Sequence, residues 1–382
     1  MIEVEQGIRT GVRQLCAKFG DAYWRKLDTE RAYPEDFVNE LAKAGWLGAL
    51  IPEEYGGSGL GIREASVIVE EINRSGANSA ACHAQMYIMG TLLRHGSEEQ
   101  KQRYLPKIAA GELRLQAFGV TEPDAGSDTT AIKTAAVRKG DGYVINGQKV
   151  FTSRALQSDL MILLARTTPL DKVEKRTEGI SVFLVDLREA GDTVTITPLE
   201  TMMNHSTTQM FIQDLEVPAD ALIGEEGRGF RHIIDGWNAE RILIAAECIG
   251  DARWFIERAV RYANERVVFG RPIGANQGVQ FPIAHAHAQI EAADLMRWRA
   301  GELFDSGQSC GAEANMAKLL ASEASWQAAN VCLDTHGGYG FACEFDVERK
   351  FRETRLYTIA PVNNNLILAY LSQNILGLPR SY

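Results

Sequence analysis

Several kinds of segment are missing from this 382-residue chain. No run of about 18 uncharged apolar residues occurs, the length a helix needs to cross a bilayer. The opening MIEVEQGIRTGVRQL mixes acids among its apolar residues and has no signal-type apolar core. No Lys/Arg tract occurs, and 40 basic against 50 acidic side chains give a net charge of −10, which argues against a nucleic-acid or polybasic membrane role. The six cysteines (Cys16, Cys82, Cys248, Cys310, Cys332, Cys343) form no CxxC pair, so they read as reduced, mostly buried thiols of a cytosolic-type compartment. A soluble, cytoplasmic protein is expected. GxGxxG, the phosphate loop GxxxxGK(S/T), HExxH and GxSxG are all absent. The seven histidines never show ligand spacing; His285 and His287 stand two apart in a helical stretch and face different ways, so no metal site is expected.

What is present is a globular composition, 45% apolar and 24% charged, ample for a sizeable core. Residues 1–115 read as helices. Phe37, Leu41 and Trp46 recur at roughly helical spacing behind Pro34 as a first-turn residue, and EEQKQRYLPKIAAGE follows a Gly-Ser start. EEYGGSGLG between helical stretches reads as a loop. From 116 to 225 the runs turn short and β-branched: GYVINGQKVF, DLMILLAR, GISVFLVDL, TVTITPL and TQMFIQDLEV. Asn146-Gly147 predicts a type I′ hairpin turn. Helix-length segments do not alternate with these strands, so an antiparallel sheet or barrel is expected rather than a doubly wound one. Helical periodicity returns for 226–382, in segments 228–265, 277–304, 311–335 and 346–376, as a helical bundle requires. The expected fold is α+β: N-terminal helical domain, central β-barrel, C-terminal bundle.

Three stretches could carry chemistry. The first runs from Phe118 through Thr-Glu-Pro-Asp-Ala-Gly-Ser to Asp128, rich in hydroxyls and in residues that tolerate unusual backbone angles. Its N–H groups with Thr121 and Ser127 could hold polar edges of a cofactor or phosphate, or it could be an interdomain turn. The second is RVVFGRPIGANQ, where Arg266 could serve a diphosphate. In the third, DTHGGYG, glycines allow close approach to the backbone.

Taken with PEEYGGSGLG, RYLPKIAAGE, NGQK and LIGEEGRGF, these motifs resemble the acyl-CoA dehydrogenase family along essentially the whole chain. The resemblance implies FAD as cofactor, an acyl-CoA substrate, a homotetramer built as a dimer of dimers, and an electron-transfer flavoprotein as electron acceptor. It places Phe118, Val120 and Thr121 on one side of the flavin ring and Phe151, Thr152 and Ser153 on the other. Gly126 and Ser127 would contact the diphosphate and CoA side. Arg266, Phe269, Ile273, Gln277, Gly337 and Gly338 would reach the FAD of a neighbouring subunit, and Asn363 and Asn365 complete the cofactor set. Where the family usually has Gln, this chain has Asp334; a carboxylate there would repel a diphosphate unless it turned to a ribose hydroxyl.

The family's reaction removes the α-proton of an acyl thioester while the β-hydrogen leaves as hydride to flavin N5. Many members carry the base, a Glu, in a loop where this chain has Pro361. A second location, on the first bundle helix as in the isovaleryl- and long-chain-specific branches, is matched by WNAERIL, which makes Glu240 the expected base. The apolar run after it implies a buried helix, where a charge needs a reason; the alternative is a plain ion pair. Arg241 and Asn238 resemble CoA-side neighbours. Pro361 also removes the backbone N–H that the family directs at the thioester oxygen, leaving Val362 or another group to supply it. A trans-2-enoyl-CoA product is expected, the alternatives being a flavin oxidase or monooxygenase of this fold or a desulfinase-like acyl-CoA enzyme.

Overall fold

Helix periodicity at both ends of the chain and strand periodicity in the middle come out as read, in a computed structural model that describes residues 2–380. Helices α1 (Ile2–Cys16), α2 (Asp21–Glu30), α3 (Glu35–Lys43), α4 (Ile62–Arg74), α5 (Ala80–His95) and α6 (Glu98–Ala109) come first. Ser97 starts α6 with a capping box: its hydroxyl accepts from Gln100 N, and the Gln100 side chain accepts from Ser97 N. Two local expectations shift. Pro34 caps α3 instead of entering it, and Trp46 lies beyond that helix, opening a short 3₁₀ turn.

The strands are β1 (Leu115–Gly119), β2 (Ala135–Lys139), β3 (Gly142–Ser153), β4 (Leu160–Arg166), β5 (Ile180–Asp186), β6 (Val194–Pro198), β7 (Thr207–Pro218) and β8 (Leu222–Ile223). They form one sheet in the order β6-β7-β3-β2-β4-β5-β8, with β1 added on β4. Pairing is mostly antiparallel; β1 and β2 each meet β4 in parallel. Alternation along β4 and β5 feeds two cores. Leu160, Ile162, Leu164, Val182 and Leu184 pack with Ile88, Leu92, Leu105 and Ile108 of α5 and α6, whereas Met161, Leu163, Phe183 and Val185 pack with Tyr143, Ile145 and Met210.

Asn146-Gly147 is not a hairpin turn. β3 runs straight through it, and the β2–β3 turn lies at Gly140-Asp141. The dipeptide marks a register shift against β7 between Ile145 and Gly147. Asn146 there bonds Asp214 twice, Nδ2 to Oδ1 at 3.2 Å and Asp214 N to Asn146 Oδ1 at 2.8 Å. Glycine is required because a Cβ at 147 would stand 2.4 Å from Thr134 Oγ1 and 2.7 Å from Thr134 Cα. Gly147→Ala is therefore expected to cost about 1–3 kcal/mol. A urea unfolding midpoint equal to the parent's would show that Thr134 yields freely.

After the sheet come α7 (Gly229–Glu265), a short hairpin of β9 (Val267–Val268) and β10 (Arg271–Pro272), α8 (Gln277–Asp305), α9 (Gly311–His336), α10 (Val347–Arg355) and α11 (Asn364–Tyr370). The helix expected over 346–376 is thus broken. Pro361 cannot donate a helical hydrogen bond, and Asn363 starts a new helix by accepting Leu366 N at its side chain.

The chain's contacts sort it into two units that do not follow its linear order. One holds the residues up to Glu30, Gly61–Ser79 and everything from Asn238 onward; the other holds Arg31–Leu60 and Ala80–Trp237. Helices α1, α2 and α4 thus group with the C-terminal helices, and α3, α5 and α6 with the sheet. All six cysteines are free thiols, five of them buried and Cys343 exposed. Among the described residues no helix is long and apolar enough to cross a membrane.

Candidate functional site

In the sheet unit the site is built on a buried lysine. Lys149, in the middle of β3 and 0% exposed, donates to Val120 O at 3.1 Å and to Glu122 Oε1 at 2.8 Å. Glu122 also accepts from Lys133 N at 2.6 Å and Thr134 N at 3.0 Å, and Val150 N donates to Thr121 O at 2.9 Å. These bonds lay the 118–122 and 149–153 segments side by side. Burial pushes Glu122 up, but Lys149 and the backbone donors outweigh it and hold the carboxyl below its ordinary value; burial pulls Lys149 down to about 8 against the pull of Glu122. Arg166, also buried, pins the far side of the loop through the carbonyls of Ile132 (3.0 Å), Glu178 (3.1 Å), Arg176 (3.2 Å) and Thr130.

That frame presents the expected flavin-side residues. Phe118 is half-buried and meets Tyr87 of α5 edge-to-face at 5.9 Å, and Tyr87 in turn lies 4.9 Å from His83. Val120 and Thr121 are half-buried behind it. Phe151 is left 64% exposed on a backbone with φ of +57°. Thr152 is buried; its carbonyl accepts from Thr208 Oγ1 at 2.7 Å, and its own Oγ1 has no hydrogen-bond partner among the described residues. Ser153 Oγ accepts from Asn204 Nδ2 at 2.8 Å. Gly126 and Ser127 are exposed, with open space where a Cβ at 126 would be. Met86 and Met89, by contrast, are fully buried core.

The helical unit carries the other expected residues in two places. One is a cleft of about 520 Å³ lined by Tyr262, Arg266, Val268, Ile273, Asp334, Thr335, His336, Gly337, Gly338, Tyr339 and Ala342. It gathers Arg266, Ile273, Asp334, Gly337 and Gly338, but not Phe269 or Gln277. Phe269 stands fully exposed at the tip of the β9–β10 hairpin with φ of +53°, and Gln277 is the exposed first residue of α8. Both glycines leave open space where a side chain would stand. Arg266 lies over the Tyr339 ring at 5.7 Å, and Tyr262 stacks on His336 at 4.2 Å. Burial lowers His336, whose Nδ1 lies 2.8 Å from Cys332 O.

The second place surrounds Glu240, which is 5% exposed in α7 and followed by the buried run Ile242 to Ala246. Arg241 Nη1 donates to Asn238 Oδ1 at 3.3 Å; burial lowers the guanidinium while Glu240 opposes the shift. The segment from Pro361 to Asn365 includes the exposed Pro361 and Asn365 and the half-buried Val362 and Asn363. Lys318 of α9, absent from the sequence reading, holds this segment: its Nζ donates to Val362 O at 2.7 Å and Asn364 Oδ1 at 2.8 Å. The available signal was a lysine amid the small and apolar residues of MAKLLAS. The Lys149–Glu122 pair was likewise missed, since its two members lie 27 positions apart.

The residues present fit FAD. A buried threonine hydroxyl beside an outward phenylalanine offers a hydrogen bond and an apolar wall to a flat ring. A cleft with one arginine, two tyrosines and two bare glycines suits a nucleotide with phosphates.

Models of the acyl-CoA dehydrogenase N-terminal, middle and C-terminal domains match residues 3–112, 117–215 and 227–375. A Mycobacterium tuberculosis protein named acyl-CoA dehydrogenase FadE12 is 37% identical over 100% of this chain and 98% of its own length. A solved glutaryl-CoA dehydrogenase in complex with glutaryl-CoA superposes with a TM-score of 0.91 at 31% identity, covering 99% of this chain and 96% of that one. The FAD complex of PigA superposes with a TM-score of 0.90 at 26% identity, covering 98% and 97%.

Proposed function

Because this chain belongs to the acyl-CoA dehydrogenase family, FAD-dependent oxidoreductases of the acyl-CoA CH–CH bond, we propose that Glu240 removes the α-proton of an acyl-CoA and that a trans-2-enoyl-CoA is formed. The observation that carries the reading is a carboxylate 5% exposed in the apolar stretch of α7, a placement that folding alone does not favour. FAD, when bound, supplies the acceptor for the β-hydride. Phe118, Val120, Thr121 and 151–153 would hold its ring, and Gly126 and Ser127 its phosphates and the CoA side. Arg266, Ile273, Gly337 and Gly338 would hold the FAD of a neighbouring subunit in a homotetramer, with Phe269 and Gln277 reaching out to it and Asn363 and Asn365 completing the set. Asp334 shares its cleft with Arg266, which offsets its charge and suits it to a ribose hydroxyl. Asn238 and Arg241 face the CoA portion. In this reading the three domains follow one another at 1–115, 116–225 and 226–382, the enzyme works in the cytoplasm, and an electron-transfer flavoprotein takes its electrons.

Anaerobic titration of the holoenzyme with a panel of acyl-CoA thioesters tests the proposal. Flavin absorbance should bleach with one equivalent of a good substrate, and a matching amount of enoyl-CoA should appear. Rapid oxygen uptake on admitting air would instead indicate an oxidase or monooxygenase, and release of sulfite from a sulfinated acyl-CoA a desulfinase. Absence of bleaching across straight, branched and aromatic acyl groups would overturn the assignment.

A further inference from the structure

Lys318 is a buried cation that the reading above does not use. Its side chain is 0% exposed, and among the described residues it forms no ion pair. Both oxygens it binds belong to the segment just after Pro361: Val362 O and Asn364 Oδ1. Ser322, one turn further along α9, completes the clamp, with Ser322 Oγ and the Asn364 side-chain amide exchanging bonds at 3.2 and 3.1 Å. Withdrawing an ammonium from water without a carboxylate against it is costly, so its retention calls for a reason beyond packing.

The peptide group supplies one. In a trans peptide the C=O and the following N–H point in opposite directions. Pinning the Val362 carbonyl against α9 therefore turns the Asn363 N–H away from α9. Pro361 contributes no N–H, so a neighbouring peptide is one source of a donor for the thioester oxygen. We propose that Lys318 is a positioning residue for the thioester pocket: by holding the Val362 carbonyl and the Asn364 side chain it fixes the peptide that follows Pro361, the stretch beside which the thioester oxygen would lie. The inference rests on the reading of Glu240 as base, since both act on the acidity of the same α-carbon.

The groups that bear on Lys318 electrostatically are Glu240, Arg241 and Cys248 of α7 and Glu323 of its own helix; the 361–364 segment brings no titratable group. Burial lowers the ammonium to about 8, Arg241 acts in the same direction, and Cys248, Glu240 and Glu323 oppose. The clamp is therefore largely charged at neutral pH and loses its charge as the pH rises through about 8.

The test uses the FAD holoenzyme and a 3-thiaacyl-CoA. Sulfur replaces the β-carbon of this probe, so its α-proton can be removed but no hydride can follow, and the enolate is read as long-wavelength charge-transfer absorbance against pH. Lys318→Met should move enolate formation to higher pH by about 1–2 units and lower kcat with true substrate roughly 10- to 100-fold, with KM and FAD content little changed. Lys318→Arg should recover most of the rate and lose the fall in activity above about pH 8. Asn364→Ala keeps the lysine and removes one acceptor, so it guards against a folding defect and should shift the enolate the same way by less. Parental enolate titrations in both Lys318→Met and Asn364→Ala would overturn the proposal. Glu240→Gln separates the two readings: full activity in that variant sinks the base assignment, whereas an inactive Glu240→Gln beside a parental Lys318→Met sinks only the role of Lys318.

Discussion

Glu240→Gln is expected to give a protein that still holds FAD, melts within a few degrees of the parent, and reduces its flavin with acyl-CoA roughly 10²–10⁴-fold more slowly. Glutamine matches glutamate in size, so the α7 packing of Glu240, 5% exposed ahead of Ile242 to Ala246, is preserved while the basic oxygen is lost. Stopped-flow absorbance under anaerobic conditions measures the effect directly. Glu247 provides the control. It lies seven residues on along α7, is 1% exposed, and accepts a hydrogen bond from Ser79 Oγ on the segment after α4. Glu247→Gln should keep flavin reduction within about threefold of the parent while lowering stability, because one buried charge-assisted bond is worth about 1.5–3 kcal/mol. A parental rate in Glu240→Gln would move the base elsewhere.

The second large effect concerns stability. Glu70, 0% exposed in α4, accepts from Arg9 at 3.1 Å through both oxygens, from Arg297 at 3.0 Å and from Arg253. Burial alone would raise its carboxyl, but Arg297, Arg253 and Arg9 outweigh burial and bring it from 4.5 down to about 2. The folded-state value is depressed, so the native state binds its proton less readily than the unfolded chain. The stabilisation is complete above pH 4.5 and is lost as the pH falls from there towards 2; it amounts to roughly 3 kcal/mol. Glu70→Ala leaves three guanidinium groups facing a void. Arg9 keeps Glu71, and Arg253 and Arg297 keep Asp294, so the loss belongs near the lower end of the roughly 3–5 kcal/mol typical of a broken buried pair. Urea midpoints at about pH 7 and about pH 3.5 check both statements: the parent should lose much of its advantage over the variant at the lower pH. An equal gap at the two values would show that the network does not titrate as a unit.

Much of the architecture was legible because it is written in local patterns. Short strand-like runs such as DLMILLAR became β4, and the Gly-Ser start became the Ser97 capping box. Where a local signal had two structural meanings, the reading went astray. Asn-Gly at 146–147 suits both a tight turn and a bulge, and the approach of Thr134 and the side chain of Asp214, remote in sequence, selected the bulge. The continuous helix read over 346–376 passed over Pro361, which cannot donate a helical hydrogen bond; α10 ends at Arg355 and a new helix starts at Asn364. Motif residues such as Phe118, Phe151 and Gly337 stand out by their strings, whereas the groups that hold those strings in place do not.

Composition, periodicity and motif order by themselves determined the class of this protein: a helix–sheet–helix chain of the acyl-CoA dehydrogenase family. Those properties depend on residues within a few positions of one another, and such spacing survives in the linear chain. Only tertiary structure decided that α1, α2 and α4 join the C-terminal helices, that Lys149 fastens Glu122, that three arginines converge on Glu70, and that Lys318 grips the peptide after Pro361. Each of these pairs a charge or donor with a partner far along the chain. The favourable energy exists only once water has been excluded from between them, a condition no local pattern records.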